Sequence, residues 1–176
     1  GTLSIKEVGF RSRQLKDWLS VIKRPHGIVI VCGPTGSGKT TTIYATVREM
    51  DIDQLNVVTI EEPIEYKLHG VTQTAINEKA NVTFATVLRS TLRQDPDVIF
   101  VGEIRDPDTA KIAMQASMTG HMVLTTVHAT DVCSCLLRLM DLGVNDKNII
   151  SFSAILSQRL VRRLCPHCRC EEPITD

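Results

Sequence analysis

A glycine-rich segment contains the residue types and spacing that most directly suggest chemistry. It matches the pattern G-x-x-x-x-G-K-[ST] with Gly33, Pro34, Thr35, Gly36, Ser37, Gly38, Lys39 and Thr40. Glycines let successive backbone N–H groups turn toward one anion, and a following helix directs its positive end at the same place. The segment therefore predicts a phosphate-binding loop, in which Lys39 contacts the terminal phosphates and Thr40 offers a hydroxyl to Mg²⁺.

Acidic residues follow two apolar segments that are predicted strands. Glu103 follows Asp97–Val101, and three glutamates within 61–65 follow Leu55–Ile60. Ligands of open α/β sheets bind at the carboxyl ends of strands. We therefore expect Glu103 to hold Mg²⁺ through water, or to orient and deprotonate an attacking water. The alternatives are a surface ion pair of Glu103 with Arg105 and, for any one of the other glutamates, a solvated loop.

Two histidines flank a third apolar segment, Met122–Val127. A single histidine is more often structural than catalytic. However, His128 falls at the carboxyl end of this predicted strand, where it could contact a γ-phosphate and report its presence. The residues alone leave the structural and the functional interpretation of His121 and His128 open.

The six cysteines are not spaced like a disulfide framework, and they indicate a reducing compartment. Cys165 and Cys168 have the spacing of half a tetrahedral zinc site. Neither His167 nor Cys170 is well spaced to complete it. We expect zinc in a full-length protein, and the alternative is that these are simple exposed thiols.

Composition narrows the class of protein. The 176 residues are 43% apolar and carry 20 basic and 20 acidic side chains, so the chain is globular with no formal net charge. A nucleic-acid binder normally has a basic excess, and a single-strand binder has aromatic stacking platforms. Only 4% of the residues are aromatic. Direct binding of nucleic acid is therefore not expected.

Short strands and helices that alternate along the chain must position these residues. The predicted strands are Gly27–Cys32, Leu55–Ile60, Asp97–Val101 and Met122–Val127. The predicted helices cover residues 12–23, 39–50, 83–93, 107–118, 131–142 and 147–160. We interpret 61–76 as a loop with short strands. Such alternation is typical of a mostly parallel sheet between two layers of helices, a three-layer α/β fold.

Four segments, in this order, resemble the type II secretion and type IV pilus assembly ATPases. They are the phosphate-binding loop, 59–66 (similar to the family's Asp box), 92–106 (similar to its atypical Walker B motif) and 119–128 (similar to its His box). The tail 158–168 resembles the assembly and secretion branch of the family. The resemblance covers nearly the whole chain.

The resemblance implies a RecA-like P-loop motor that hydrolyses ATP with Mg²⁺. It implies a homo-hexamer at the cytoplasmic face of the inner membrane, whose partners are a platform protein and its cytoplasmic adaptor. By position, Glu103 is the Walker B acid and Glu65 the Asp-box acid, and His128 and His121 act near the γ-phosphate. Further candidates for the nucleotide or the subunit interface are Thr41, Arg89 and Arg93.

The resemblance also implies how the chain is divided. Residues 1–26 are a lead-in segment with the first helix, 27–160 the ATPase core, and 161–176 the start of a cysteine-containing metal-binding subdomain. We expect a motor core taken from a larger protein, which by itself hydrolyses ATP poorly. Glu62 stands where the family often has Asp, which puts a metal role for it in doubt.

Other interpretations remain open at this stage. A RecA-type motor of DNA uptake would share the phosphate-binding loop, and so would a scaffold that binds nucleotide without hydrolysing it. For adenine, 8–10 is a candidate contact because family members place an apolar residue there, with core packing as the equal alternative.

Overall fold

Strands and helices alternate along residues 3–165 and 167–170, the part of the chain that the computed structural model describes. The strands are β1 (Gly27–Cys32), β2 (Val57–Glu61), β3 (Thr72–Ala75), β4 (Val98–Val101), β5 (Met122–Val127) and β6 (Phe152–Ser157). The helices are α1 (Ser12–Val21), α2 (Lys39–Arg48), α3 (Phe84–Thr91), α4 (Pro107–Met118), α5 (Val132–Asp141) and α6 (Asp146–Ile149). Short 3₁₀ turns at Glu78–Ala80 and Leu92–Gln94 flank α3.

The strands form a parallel sheet in the order β3-β2-β4-β5-β1-β6. β1 and β5 pair over their full length, from Gly27 opposite Met122 to Cys32 opposite Val127. Because the strands are parallel, the segments that come after them leave the sheet at one edge. The phosphate-binding loop and His128 therefore emerge side by side.

Helices cover both faces of the sheet, because its central strands are apolar on both faces. Every residue of β1, β4 and β5 is buried, as expected for a parallel sheet between two helical layers. Leu88 of α3 and Leu139 of α5 belong to the core on one face. Trp18 of α1 and Ile43 of α2 belong to the core on the other. The predicted three-layer α/β fold is confirmed.

Side-chain caps set the beginnings of α4 and α5, the helices that come after β4 and β5. The Asp106 carboxylate accepts the Thr109 N–H at 2.8 Å, and Pro107 occupies the first turn of α4. The Asp131 carboxylate accepts the Ser134 N–H at 2.8 Å at the start of α5. Such caps satisfy backbone donors that the helix itself leaves unpaired. They explain why α4 and α5 begin where the sequence predicts.

The predicted helix over 147–160 is wrong. The chain forms only the short α6 and then β6, which pairs in parallel with β1. All of β1 is buried, so its backbone N–H and C=O groups on the side away from β5 need hydrogen-bond partners. A helix cannot supply them, because its own backbone groups are already paired within the helix. Pairing with the sheet therefore overrides the helical spacing of the apolar residues in this segment.

Within the described ranges, no helix combines the length and the apolar character needed to cross a membrane.

Leu88 provides a test of the core under the sheet. Leu88→Ala should lower the free energy of unfolding by about 3 kcal/mol, within the range of about 2–5 kcal/mol typical of buried leucines. The reason is that Leu88 is 0% exposed between α3 and the sheet, so truncation leaves a cavity. Urea denaturation measures the change.

The matched control is Leu137→Ala on α5, where the side chain is 62% exposed. It should change the free energy of unfolding by less than about 0.5 kcal/mol. Equal losses in the two variants would contradict the described packing.

Candidate nucleotide site

The loop between β1 and α2 has the backbone conformation that its glycines allow. Gly36 and Gly38 have φ angles of 75° and 83°, in the left-handed region that glycine adopts without strain. A Cβ on Gly33 would lie 2.5 Å from the Gln158 carbonyl oxygen and 2.5 Å from Ser37 Oγ, so atoms would overlap. The spacing of the glycines therefore results from local backbone geometry and from close approach of the chain after β6.

Lys39 is the first residue of α2 and is only 7% exposed. Its Nζ donates to the Gly33 carbonyl at 2.9 Å and to the Pro34 carbonyl at 3.0 Å. Burial lowers the pKa of Lys39, while the charges of Glu103 and Cys32 act in the opposite direction. The ammonium is thus held at the loop by neutral acceptors, and an anion placed there would stabilise its charge.

The loop also fits a phosphate and its metal ion. Ser37 Oγ is buried and has no hydrogen-bond partner among the described residues. Thr40, half-buried in the first turn of α2, presents a hydroxyl at a helix N-terminus, where negative charge is favoured. An unpaired buried hydroxyl costs free energy unless a ligand satisfies it. These groups suit a phosphate oxygen and a Mg²⁺ ion.

An open cavity of about 650 Å³ lies against the loop at the carboxyl edge of the sheet. Its lining includes the three predicted catalytic residues, Glu65, Glu103 and His128. From the loop and the start of α2 it includes Thr35, Gly36, Ser37, Gly38, Lys39, Thr40 and Thr41. The structure therefore brings together residues that lie far apart in the sequence.

Arg105 forms ion pairs with two carboxylates that follow different strands. Its Nη2 lies 2.6 Å from Glu103 Oε1 and 2.5 Å from Glu62 Oε2. The second oxygen of Glu103, Oε2, lies 3.5 Å from His128 Nε2. The guanidinium also stands 5.6 Å from the centre of the Phe84 ring. One cation thus links the residue after β4 with the loop after β2.

This arrangement combines the two interpretations of Glu103 that the sequence left open. Glu103 does pair with Arg105, and the hydrogen bond that Arg105 donates to Glu103 is the largest effect raising the pKa of Arg105. The two partners differ in exposure, because the Glu103 side chain is 21% exposed and lines the cavity, whereas the Arg105 side chain is 44% exposed. Glu103 therefore faces the phosphate-binding loop with one oxygen near a histidine and the other on a guanidinium.

Glu61, the last residue of β2, is buried in a hydrogen-bonded network. It accepts the Tyr44 hydroxyl, the Thr59 hydroxyl at 2.5 Å and the Gln73 amide at 3.1 Å. Burial, then the hydrogen bond to Glu61 and then the negative charge of Glu61 raise the pKa of Tyr44. Within the described chain no basic side chain pairs with Glu61. Neutral donors therefore satisfy this carboxylate and join α2, β2 and β3.

Sequence reasoning missed Tyr44, Gln73 and Gln158. Tyr44 and Gln73 belong to no motif, and their partners lie on other elements. For Gln158 a signal was available, since it comes directly after a strand and so stands at the edge where the other strand exits carry functional residues. Recognising that signal required predicting β6 as a strand.

His121 is not brought to the cavity. It precedes β5, whereas His128 comes after it, so the two lie at opposite edges of the sheet, about 20 Å apart at about 3.3 Å per residue. His121 Nδ1 lies 3.1 Å from the Ala116 carbonyl oxygen, and the His121 carbonyl accepts the Gly27 N–H at 3.1 Å. This placement does not support contact between His121 and a nucleotide in its own chain.

Arg89 and Arg93 lie on the exposed side of α3 and of the turn after it. Neither lines the cavity. Arg93 Nη2 donates to Ser90 Oγ at 3.3 Å, and neither arginine forms an ion pair within the described ranges. Their role at a nucleotide or a subunit interface stays a prediction.

The cysteine-containing tail is described up to residue 170, apart from 166, and the rest of the predicted subdomain (161–176) lies outside the described residues. Cys165 and Cys168 are exposed free thiols. Hydrogen bonds from the backbone of His167 and Cys168 lower the pKa of Cys165. Among the described residues no group of three or more His, Cys, Asp or Glu could hold a metal ion. Zinc at this half-site stays a prediction.

The two apolar side chains of the segment 8–10 pack against the core. The Phe10 ring centre lies 5.4 Å from that of Trp18, and Val8 and Phe10 pack against the core on the α1–α2 face. Neither residue lines the cavity. Of the two interpretations of this segment, core packing is the one the structure contains.

The fold and cavity define an α/β domain of the P-loop type. Residues 1–175 match the model of the family described as type II/IV secretion system protein. The chain therefore belongs to that family. It is 53% identical over 172 residues to type II secretion system protein E of Klebsiella pneumoniae. The match covers 97% of this chain and 35% of that relative, so the chain spans about a third of its length.

Solved structures agree with this assignment. The pilus retraction motor PilT with bound ADP superimposes with a TM-score of 0.79 at 35% identity, over 92% of this chain and 49% of that one. The ATPase DotB of Legionella pneumophila superimposes with a TM-score of 0.76 at 27% identity, over 90% of this chain and 46% of that one. The predicted fold class and family resemblance are confirmed.

Tyr44 tests the buried network around Glu61. Tyr44→Phe should lower the free energy of unfolding at pH 7 by about 1–3 kcal/mol, because it leaves a buried carboxylate one donor short. The folded-state pKa of Tyr44 lies above its ordinary value of 10.0. The contribution of Tyr44 ionisation to stability should therefore be fully present below pH 10 and be lost as the pH rises further, since the tyrosine ionises more readily in the unfolded chain.

Tyr44→Phe should remove the part of this alkaline loss that comes from Tyr44, and urea denaturation between pH 7 and 11 measures it. Tyr66→Phe is the matched control, because the Tyr66 hydroxyl makes no hydrogen bond among the described residues while its ring packs edge-on at 4.7 Å from Tyr44. An identical loss of stability in the two variants at pH 7 would refute the network.

Proposed function

We propose that this chain is the ATP-hydrolysing motor core of a protein that drives assembly of a secretion pseudopilus or a type IV pilus. The protein acts as a homo-hexameric ring at the cytoplasmic face of the inner membrane. Its partners are an inner-membrane platform protein and the cytoplasmic adaptor of that protein. The family assignment, the relative named type II secretion system protein E and the structural likeness to a pilus motor support this proposal.

One observation carries the proposal. A phosphate-binding loop with a buried lysine and an unpaired buried hydroxyl faces a strand-exit carboxylate across a single cavity. Lys39 is close enough to Glu103 for the carboxylate charge to act on its pKa. A nucleoside triphosphate fits this arrangement, because its hydrolysis requires a loop that binds the phosphates and an acid beside the terminal phosphate.

Each lining residue has a proposed role in hydrolysis. The loop N–H groups and Lys39 bind the phosphates, and Thr40 holds Mg²⁺, which neutralises charge on the phosphate oxygens. Glu103 orients the attacking water and accepts its proton. His128, beside Glu103, contacts the γ-phosphate. Glu65, which also lines the cavity, is the second acid of the site.

The predicted division of the chain is part of the proposal. Residues 27–160 form the ATPase core, and 1–26 lead into it with α1. The segment from 161 begins the metal-binding subdomain, where Cys165 and Cys168 supply two of the four thiolates that a structural zinc site uses. Arg89 and Arg93, which are exposed on and after α3, face a neighbouring subunit.

Glu103 is the residue whose loss separates binding from hydrolysis. In the full-length protein, Glu103→Gln should lower the turnover of ATP with Mg²⁺ by about 100-fold or more, because the amide cannot accept a proton from water. The dissociation constant for ATP should change by less than about threefold, since the loop and Lys39 remain. Steady-state phosphate release and fluorescence titration with a labelled ATP measure the two quantities.

The matched control is Glu78→Gln, since Glu78 also faces Arg105, at 3.9 Å, but is largely exposed and does not line the cavity. It should leave both quantities unchanged. Turnover by Glu103→Gln at the wild-type rate would disprove the catalytic assignment, and failure of the wild type to bind ATP would disprove the proposed function.

A further inference from the structure

Gln158 lies where the chain leaves β6, and none of the roles above uses it. Its backbone N–H donates to the Cys32 carbonyl at 2.9 Å, which continues the pairing of β6 with β1 by one residue. Cys32 is the last residue before the phosphate-binding loop. The sheet therefore fixes the backbone of Gln158 against the first residue of that loop.

Both polar atoms of the Gln158 side-chain amide form hydrogen bonds. Nε2 donates to the Ser37 carbonyl at 2.7 Å, inside the phosphate-binding loop. Oε1 accepts the Thr42 hydroxyl at 2.7 Å, from the first turn of α2. Thr42 is fully buried. One side chain thus forms hydrogen bonds with both the loop and α2, the helix that follows it.

The backbone around Gln158 also restricts the loop by contact. A Cβ on Gly33 would lie 2.5 Å from the Gln158 carbonyl oxygen, and a Cβ on Gly38 would lie 3.0 Å from its Nε2. The glycines at both ends of the loop therefore pack directly on this residue. The position of Gln158 therefore restricts the loop, and the loop restricts the position of Gln158.

Peptide geometry connects these contacts to phosphate binding. In a trans peptide the C=O and N–H bonds point in opposite directions. The carbonyl of Ser37 and the N–H of Gly38 belong to one peptide, so a carbonyl turned toward Gln158 turns that N–H away from it. Gly38 lines the cavity. An N–H with a fixed direction at this place is a preorganised donor for an anion.

We propose that Gln158 is a positioning residue for the phosphate-binding loop, holding the Ser37–Gly38 peptide in the orientation that binds phosphate. It acts through the loop and does not itself touch the nucleotide. The inference rests on the proposed function only in taking the ligand to be the phosphates of ATP. It also makes the end of β6 part of the nucleotide site.

Gln158→Met is the direct test, because methionine has similar length and no strong donor or acceptor. In the nucleotide-free chain, amide hydrogen exchange over residues 34–40 should become about tenfold faster, while exchange in α4 stays unchanged. The dissociation constant for ATP with Mg²⁺ should rise about tenfold, which corresponds to about 1.4 kcal/mol of binding free energy.

Two further variants make the test specific. Gln115→Met is the matched control, since Gln115 is exposed on α4 and its side chain makes no hydrogen bond in the described structure. It should leave exchange and affinity unchanged. Thr42→Val removes only the contact to Oε1 and should raise the dissociation constant about threefold. Added to Gln158→Met it should have no further effect, because the two changes break one link.

A Gln158→Met chain that unfolds more easily but binds ATP within twofold of the wild type would overturn the inference, because the residue would then be merely structural. If that variant does not fold, unchanged exchange and affinity in Thr42→Val would overturn it instead. A wild type that binds no ATP would disprove the proposed function, while the exchange measurement would still decide whether Gln158 orders the loop.

Discussion

The parallel pairing of β1 with β5 on one side and β6 on the other is the constraint on which the rest of the structure depends. β1 is buried along its whole length, so both of its backbone edges must be paired by strands. Parallel pairing brings the ends of all three strands to one edge of the sheet. The phosphate-binding loop comes directly after β1, His128 after β5 and Gln158 after β6. A site assembled from distant parts of the sequence is thus a consequence of backbone hydrogen bonding.

The charges at this edge are arranged by burial. Glu61 is satisfied by neutral donors and takes no part in ion pairing within the described chain, whereas Glu103 and Glu62 share the guanidinium of Arg105. Arg105 and His128 thus approach different oxygens of the same Glu103 carboxylate. The absence of net charge in the sequence conceals this local arrangement.

The sequence predicted what rests on local pattern and failed where tertiary contacts decide. The phosphate-binding loop, α4 and β5 were predictable because glycine spacing, an Asp-Pro helix start and an unbroken apolar run are local signals. β6 was not, since its apolar residues also fit a helix and only the unpaired edge of β1 decides between the two. His121 was grouped with His128 through the family resemblance, although strand length alone separates them by the full height of the sheet. Tyr44 and Gln73 gave no signal, because their function is to satisfy a carboxylate on another element.

The error at β6 and the omission of Gln158 have one cause. If 147–160 were a helix, no strand would pair with β1 on the side away from β5. The loop after Cys32 would then lack its contacts with Gln158. Because the segment is a strand, the residues after it lie beside the phosphate-binding loop. Leu160 lines the cavity, and Arg159 Nη2 donates to the Thr130 carbonyl, after β5, at 2.5 Å. The tail that carries Cys165 and Cys168 therefore begins at the cavity of the candidate nucleotide site. The same strand end therefore both supplies Gln158, which contacts the loop, and leads into the tail.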